Sequence, residues 1–186
     1  MTARWVVDEV VPNRDVNVTW QPISLMFKNN IGPDHERYDV YLSTHRMLRV
    51  MESVRASEGD GPIGGLYWEL GRRIHHDKDR EFDLADALTL VGLDPAHASA
   101  ADDEQWDATI RDRQAIGIGL AGDDIGTPII AFDDRYGVKQ AYFGPVITRV
   151  PPTEDSLAMW DALMTMANVQ GFWELKRTRT EDPAFD

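Results

Sequence analysis

The sequence predicts a single α/β domain interrupted by a helical insertion, and three stretches of the chain carry this prediction. Residues 15–22 alternate apolar and polar side chains, a pattern typical of a strand. Residues 33–122 contain no convincing alternation, and their apolar residues recur at helical spacing. Residues 129–143 contain two β-prone runs around a polar turn closed by Gly137, which predicts a β-hairpin.

Helices are expected before, between and after these β segments. Residues 1–11 predict the first, because Trp5 and Val10 lie at helical spacing and Thr2 can cap its start. A last helix follows the hairpin, with Trp160 on its apolar face. Five helices are expected in the middle of the chain: from Tyr38 to the Gly59–Pro62 breaker, around residues 66–74, from Asp83 to Gly92, after Asp94, and from Trp106 to Ile116.

Composition and charge exclude several classes of partner and chemistry. The formal net charge of −13 repels polyanions, so neither nucleic acid nor a membrane is an expected partner. The sequence contains no apolar run long enough to span a bilayer and no signal peptide at Met1, so we expect a cytoplasmic protein. The chain has no cysteine, which removes disulfides, thiolate metal ligands and cysteine nucleophiles from this polypeptide.

The glycine-rich segment Gly117–Gly122 matches the G-x-G-x-x-G pattern of dinucleotide-binding loops. Such a loop needs a strand before it and a helix after it, whereas a helix is predicted here before Gly117. Asp123 and Asp124 also place negative charge where a phosphate would sit. We therefore expect these glycines to unwind the end of a helix, and a nucleotide-dependent reductase is kept as an alternative.

Histidines and carboxylates do not form a convincing metal or hydrolytic motif. His75 and His76 are adjacent, and neighbouring residues on a helix point about 100° apart, which disfavours chelation of one ion. The acidic cluster Asp102–Glu104 is typical of a helix start. No metal site is predicted.

The segment Gly126-Thr127-Pro128 directly precedes the predicted hairpin. A proline at the start of a strand is usually an edge feature with an ordinary trans bond. A cis-proline at this place would instead leave the backbone before it free to bind a partner strand or a thiol ligand. We interpret Gly126, Thr127 and Pro128 as a candidate groove for substrate or thiol.

Several short segments occur in the order typical of one family. They are Thr2–Trp5, Ser24–Leu25 followed by Asn29, Arg73–His75, Asp123–Pro128, Phe143–Val146 and Phe172–Asp186. Together they resemble the actinobacterial DsbA-like proteins that include mycothiol-dependent nitroreductases, in register from Met1 to Asp186.

The resemblance implies a thioredoxin-like (DsbA-like) fold with an all-helical insertion. It assigns residues 1–32 and 123–173 to the thioredoxin-like part, 33–122 to the insertion and 174–186 to a polar, loosely held tail. Family members begin earlier, with a first strand and a Cys-Pro-x-Cys or Cys-Pro-x-Ala motif that ends just before the match to Met1. This sequence lacks both, so we expect either a start assigned at an internal methionine or a natural relative that lost its chemistry.

The resemblance also implies a function, namely thiol–disulfide exchange or mycothiol-dependent reduction by an oxidoreductase. Its nucleophile is a low-pKa thiolate at a helix N-terminus, so we expect this cysteine-free chain to be inactive as given. Whether the chain is an enzyme therefore stays open, and the alternative is a non-catalytic thioredoxin-like module that binds a peptide or small thiol. No tightly bound cofactor is expected beyond the low-molecular-weight thiol.

The match to the family's pocket region adds Asn29, Tyr38 and His75 to the predicted groove. The expected partner is a small-molecule thiol or disulfide. Loss of a central strand would expose unpaired backbone groups, which favours a homodimer.

Overall fold

The computed structural model describes residues 1–184, and its fold is mixed α/β, mostly helical with one small sheet. It divides into two compact units, one of Met1–Val18 with the chain from Gly117 onward and one of Thr19–Ile116. Their elements are α1 (Thr2–Arg4), α2 (Leu25–Lys28), α3 (Tyr38–Glu58), α4 (Ile63–His75), α5 (Leu84–Leu90), a 3₁₀-helix (Pro95–Asp102), α6 (Trp106–Ala121), β1 (Ile129–Asp133), β2 (Lys139–Phe143) and α7 (Thr153–Ala167). The α/β class is confirmed, and the thioredoxin-like topology and domain boundaries stay predictions.

The predicted N-terminal helix is present but irregular. After α1 the backbone widens into a π-helical segment over Trp5–Val10 and then tightens into a 3₁₀ turn over Val11–Asn13. Thr2 is not the N-cap, because its hydroxyl donates to the carbonyl oxygen of Pro145 at 2.6 Å. This bond fixes the start of the chain against the segment that follows β2.

The predicted strand over residues 15–22 is wrong, because the structure assigns no strand there. The backbone N–H of Val16 donates to the carbonyl of Arg14, a local turn that breaks an extended conformation. Trp20 stacks on Tyr67 of α4 with ring centroids 4.6 Å apart. The alternating pattern therefore reflects side-chain packing by an irregular segment.

The predicted hairpin is confirmed as an antiparallel pair, with Ile129 opposite Phe143 and Asp133 opposite Lys139. Asp134 shapes the turn, since one carboxylate oxygen accepts the backbone N–H groups of both Tyr136 and Val138. These bonds lower the pKa of Asp134 from its ordinary value. The hairpin is part of the unit that contains the N-terminus.

The core of this unit forms around two tryptophans. Trp5 and Trp160 lie with ring centroids 5.9 Å apart, and the Trp5 indole N–H donates to the carbonyl of Ser156 in α7. Val10 and Leu163 complete the buried cluster. The predicted last helix is thus confirmed, and it holds the irregular N-terminal helix in place.

The C-terminal tail is better anchored than its polar sequence predicts. Ala184 donates its backbone N–H to Thr148, and the Glu181 carboxylate accepts from the Thr148 hydroxyl and pairs with Arg149. The expectation of a loosely held tail over 174–186 is therefore wrong for these residues. Residues 185–186 lie outside the described residues.

The second unit packs α3, α4, α5 and the 3₁₀-helix around a core that includes Val50, Val54, Leu66 and Leu88. The predicted helices of this region are confirmed. Besides apolar residues, α3 buries a row of polar side chains at helical spacing: His45, Arg49, Glu52 and Arg55. Burial of these groups requires partners, and the shared partner of His45 and Arg49, Asp107, lines the candidate site.

The glycine-rich segment ends its helix as predicted, but only at its last glycine. Gly117 and Gly119 lie inside α6, which ends after Ala121. Gly122 has a φ of 104°, a conformation that favours glycine. Among the described residues no strand precedes the segment, so the structure does not supply the context of a dinucleotide loop. Among residues 1–184, no helix is long and apolar enough to cross a membrane.

Candidate ligand-binding site

A cavity of about 460 Å³ opens within the second unit, between α2, α3 and α6. Ser24 caps the start of α2 by accepting the backbone N–H of Phe27, which places Met26 and Phe27 at the cavity. We call it the α2–α3–α6 cavity. Its other lining residues are Tyr38, Leu42, Arg46 and Arg49 of α3, Asp107 and Arg111 of α6, and Asp102 and Glu104.

Asp107 connects α6 to the buried polar row of α3. Its carboxylate accepts two hydrogen bonds from the Arg49 guanidinium, at 2.7 and 2.9 Å, and one from His45 Nε2 at 2.9 Å. Burial raises the pKa of Asp107, but these hydrogen bonds outweigh it and hold the pKa below its ordinary value. Asp107 is therefore ionised at neutral pH and fixes one wall of the cavity.

His45 connects Asp107 to the cap of α2. Its side chain is 1 % exposed, and burial lowers its pKa despite the hydrogen bond with Asp107. A neutral ring that donates from Nε2 to Asp107 leaves Nδ1 to accept the Ser24 hydroxyl, which lies 2.9 Å away. Ser24 is itself 1 % exposed, so this Ser–His–Asp series positions α2 and does not present a nucleophile.

Three arginines of the cavity differ in how fully they are paired. Arg49 donates three hydrogen bonds, two to Asp107 and one to the carbonyl of Ala101. Arg111 lies over the Phe27 ring, with its guanidinium carbon 3.4 Å from the ring centroid. Arg46 donates to Asp102, but its Nε is buried and has no hydrogen-bond partner among the described residues. The cavity thus contains the Arg49–Asp107 ion pair and, at Arg46 Nε, a donor that has no hydrogen-bond partner among the described residues.

The structure places the predicted site residues of this unit at three different positions. Tyr38 begins α3 and lines the cavity. Asn29 follows α2 as its exposed C-cap, and His75 ends α4, where burial lowers its pKa. The cavity lining includes Tyr38 and does not include Asn29 or His75.

The other three predicted residues belong to the first unit, directly before β1. Thr127 is exposed and makes no hydrogen bond within the described part of the chain. The peptide bond between Thr127 and Pro128 is cis, and the Pro128 carbonyl accepts the Gly144 N–H at 2.8 Å. Gly126 lies next to the ring of Phe143. Within the described residues, the backbone N–H and C=O of Thr127 therefore have no hydrogen-bond partner, and its place in a ligand groove stays a prediction.

A family model described as Rv2466c-like, mycothiol-dependent nitroreductase Rv2466c, matches residues 1–177. The chain belongs to this family. The match confirms the resemblance seen in the sequence, and it supports a thiol-related oxidoreductase with a small thiol as its partner. Among residues 1–184 of this Rv2466c-like protein, no three histidines or carboxylates cluster as a metal site would require.

Sequence reasoning missed the polar groups that build the cavity of this Rv2466c-like chain. Asp107 was not among the predicted site residues, whereas in the structure it is the shared acceptor of His45 and Arg49. A signal was present in α3, where His45, Arg49 and Glu52 recur at spacings of four and three residues. When apolar residues flank three ionisable residues on one helix face, the pattern indicates that these residues are buried and paired with charged groups elsewhere in the chain.

Proposed function

We propose that this chain is the scaffold of a thioredoxin-like, DsbA-related oxidoreductase that uses mycothiol to reduce nitro compounds. The observation that carries the proposal is the family match over residues 1–177. The mixed α/β fold and the hairpin preceded by an exposed Thr127 support it.

The first reductive step consumes two thiols for each nitro group. Their two S–H bonds break, one S–S bond forms, and the two sulfur atoms give up two electrons. The nitro group accepts these electrons with the two protons and loses one oxygen as water, which leaves a nitroso group. The protein's part is to hold the thiolate and the nitro compound together and to stabilise the developing charge.

In this proposal Gly126, Thr127 and Pro128 form the groove for the thiol. Thr127 offers an unpaired backbone N–H and C=O, which suits the amide groups of a thiol cofactor or the backbone of a peptide. Asn29, Tyr38 and His75 belong to the other unit and are proposed separately as ligand-contacting residues. Tyr38 has the best support of the three, because it lines a cavity.

The 186-residue chain has no cysteine and therefore cannot itself supply the protein thiolate of this mechanism. We propose that it is inactive as given. The same fact, together with the unpaired backbone of Thr127, favours a second function, which is non-catalytic binding of a small thiol or peptide.

The testing experiment compares two proteins in a nitroreduction assay with mycothiol and a nitroaromatic compound. One is the 186-residue chain, and the other carries a Cys-Pro-x-Ala segment added before Met1. The chain alone is expected to match the rate of mycothiol without protein, and the extended chain to exceed it. Turnover by the cysteine-free chain would refute the thiolate mechanism. Failure of both proteins to turn over, with retained thiol binding, would favour the binding module.

A further inference from the structure

We propose that His45 makes the α2–α3–α6 cavity sensitive to pH: its neutral ring holds α2 in place, and its protonation releases α2 and alters the cavity wall. Such a device lies entirely within the second unit. It involves neither a thiol nor a nitro compound, so it does not depend on the proposed function.

The hydrogen bonds of Ser24 and His45 leave room for only one proton between the two side chains. Asp107 is ionised and can only accept, so His45 Nε2 carries the proton of the neutral ring. The ring's Nδ1 then accepts the Ser24 hydroxyl, and the Ser24 oxygen accepts the backbone N–H of Phe27. In this state each of these donors has an acceptor.

Protonation of His45 turns Nδ1 from an acceptor into a donor. The Ser24 oxygen has lone pairs for both Nδ1–H and the Phe27 N–H, but its own O–H then loses its acceptor. Ser24 Oγ has no other hydrogen bond among residues 1–184, and Ser24 is 1 % exposed, so water does not replace the lost acceptor. A buried hydroxyl without an acceptor costs stability, and movement of Ser24 away from His45 removes this cost.

The charged groups around His45 come from α3 and α6. Asp107 of α6 favours the protonated ring, whereas Arg49 of α3 and Arg111 of α6 disfavour it. Asp107 already accepts two hydrogen bonds from Arg49, so it cannot fully compensate a second cation. Burial is the largest influence and lowers the pKa of His45. We therefore expect protonation below about pH 6.5, the ordinary value for histidine.

The short helix α2 depends on its contact with His45. It contains only four residues, Leu25–Lys28, too few to be stable without a cap and packing. Its contacts with His45 are uncharged: the Ser24 hydroxyl and the Phe27 ring, whose centroid lies 4.4 Å from the imidazole centroid. Phe27 also lines the cavity, so displacement of α2 changes the shape of the cavity.

The test is NMR spectroscopy of the ¹⁵N-labelled 186-residue chain between pH 7.5 and 5. The ring signals of His45 report its protonation, and the protection of the Phe27 amide against hydrogen exchange reports the cap of α2. The variants are His45→Gln, which cannot titrate, and Ser24→Ala, which removes the hydroxyl. His97→Gln is the matched control, because His97 Nδ1 lies 2.8 Å from the hydroxyl of Ser53, which is inside α3 and caps no helix.

As His45 becomes protonated, we expect the protection factor of the Phe27 amide to fall about tenfold, with smaller changes outside α2. His97→Gln should keep this transition. His45→Gln should lose it, and Ser24→Ala should show low protection already at pH 7.5. The titration of the unmodified chain is decisive even if a variant does not fold.

Four results would overturn the proposal. The first is protection of the Phe27 amide that does not follow the protonation of His45, and the second is a His45 ring that stays neutral down to pH 5. The third is a loss of protection in all amides together, which is global unfolding. The fourth is an unchanged transition in folded His45→Gln or Ser24→Ala.

Discussion

Replacing Asp107 by asparagine should destabilise the protein strongly, because this carboxylate is the shared acceptor of two buried side chains. Asp107→Asn keeps the size and shape of the side chain but removes its charge and replaces one acceptor by a donor. The new N–H group would face either the Arg49 guanidinium or the His45 N–H. Three hydrogen bonds of 2.7–2.9 Å are affected.

The expected loss of unfolding free energy depends on the burial of the Arg49 side chain, which is 7 % exposed. Removing one partner of a fully buried ion pair costs about 3–5 kcal/mol, since the other charge is left without compensation. Asp107 is 22 % exposed, so water can reach the site and we expect a loss of about 2–4 kcal/mol. For a chain of this length, that loss corresponds to a fall in melting temperature of roughly 5–15 °C.

The assay is urea unfolding followed by circular dichroism, with Asp161→Asn as the control. Asp161 also pairs with an arginine, Arg14, but their side chains are 55 % and 34 % exposed, so solvent screens the pair and we expect a much smaller loss than for Asp107→Asn. Equal effects of the two substitutions would refute the conclusion that Asp107 holds a buried charge network.

Three further predictions concern packing, pH and assembly. Gly64→Ala should destabilise by about 1–3 kcal/mol, because a Cβ there would lie 2.9 Å from the indole nitrogen of Trp20. Gly65→Ala in the same helix meets no neighbouring atom and should be neutral or stabilise by up to about 1 kcal/mol in the same urea assay, so equal losses at both glycines would contradict this packing. Stability should fall as pH drops below about 6.5, because burial lowers the pKa of His45 and the unfolded chain then takes up the proton first. His45→Gln should flatten the pH dependence of the urea midpoint between pH 6.5 and 5, and an unchanged slope would contradict this assignment. We also predict a homodimer in light scattering, since the outer edge of each hairpin strand has no strand partner among residues 1–184, and a monodisperse monomer would contradict it.

Local patterns in the sequence were enough to predict the helices and the hairpin. The turn at Gly137 and the breaker at Gly59 act through backbone conformation, which depends on few neighbours, and both gave correct boundaries. The prediction of a strand over residues 15–22 was wrong because a strand needs a neighbouring strand to pair with, and an alternating pattern does not show that one is present. Trp20 packs against the tyrosine and tryptophan of α4 instead.

The cavity could not be predicted, because it depends on pairs far apart in the chain. Arg49 and Asp107 are 58 residues apart, and neither residue alone signals that it is buried. The family resemblance predicted Tyr38 as a site residue, and the structure shows that Tyr38 lines the cavity. Charge pairs between distant residues form only in the folded chain. Helix caps and breakers, in contrast, can be recognised from a few consecutive residues.

In the proposed function, this chain supports mycothiol-dependent nitroreduction once a thiolate is supplied. The most direct measurement is the initial rate of nitroaromatic reduction by two extended chains that differ in one atom, with Cys-Pro-x-Ala or Ser-Pro-x-Ala added before Met1. We predict a rate at least about 100-fold higher for the cysteine form, because a hydroxyl cannot form the mixed disulfide with mycothiol. Equal rates for the two forms would contradict the claim.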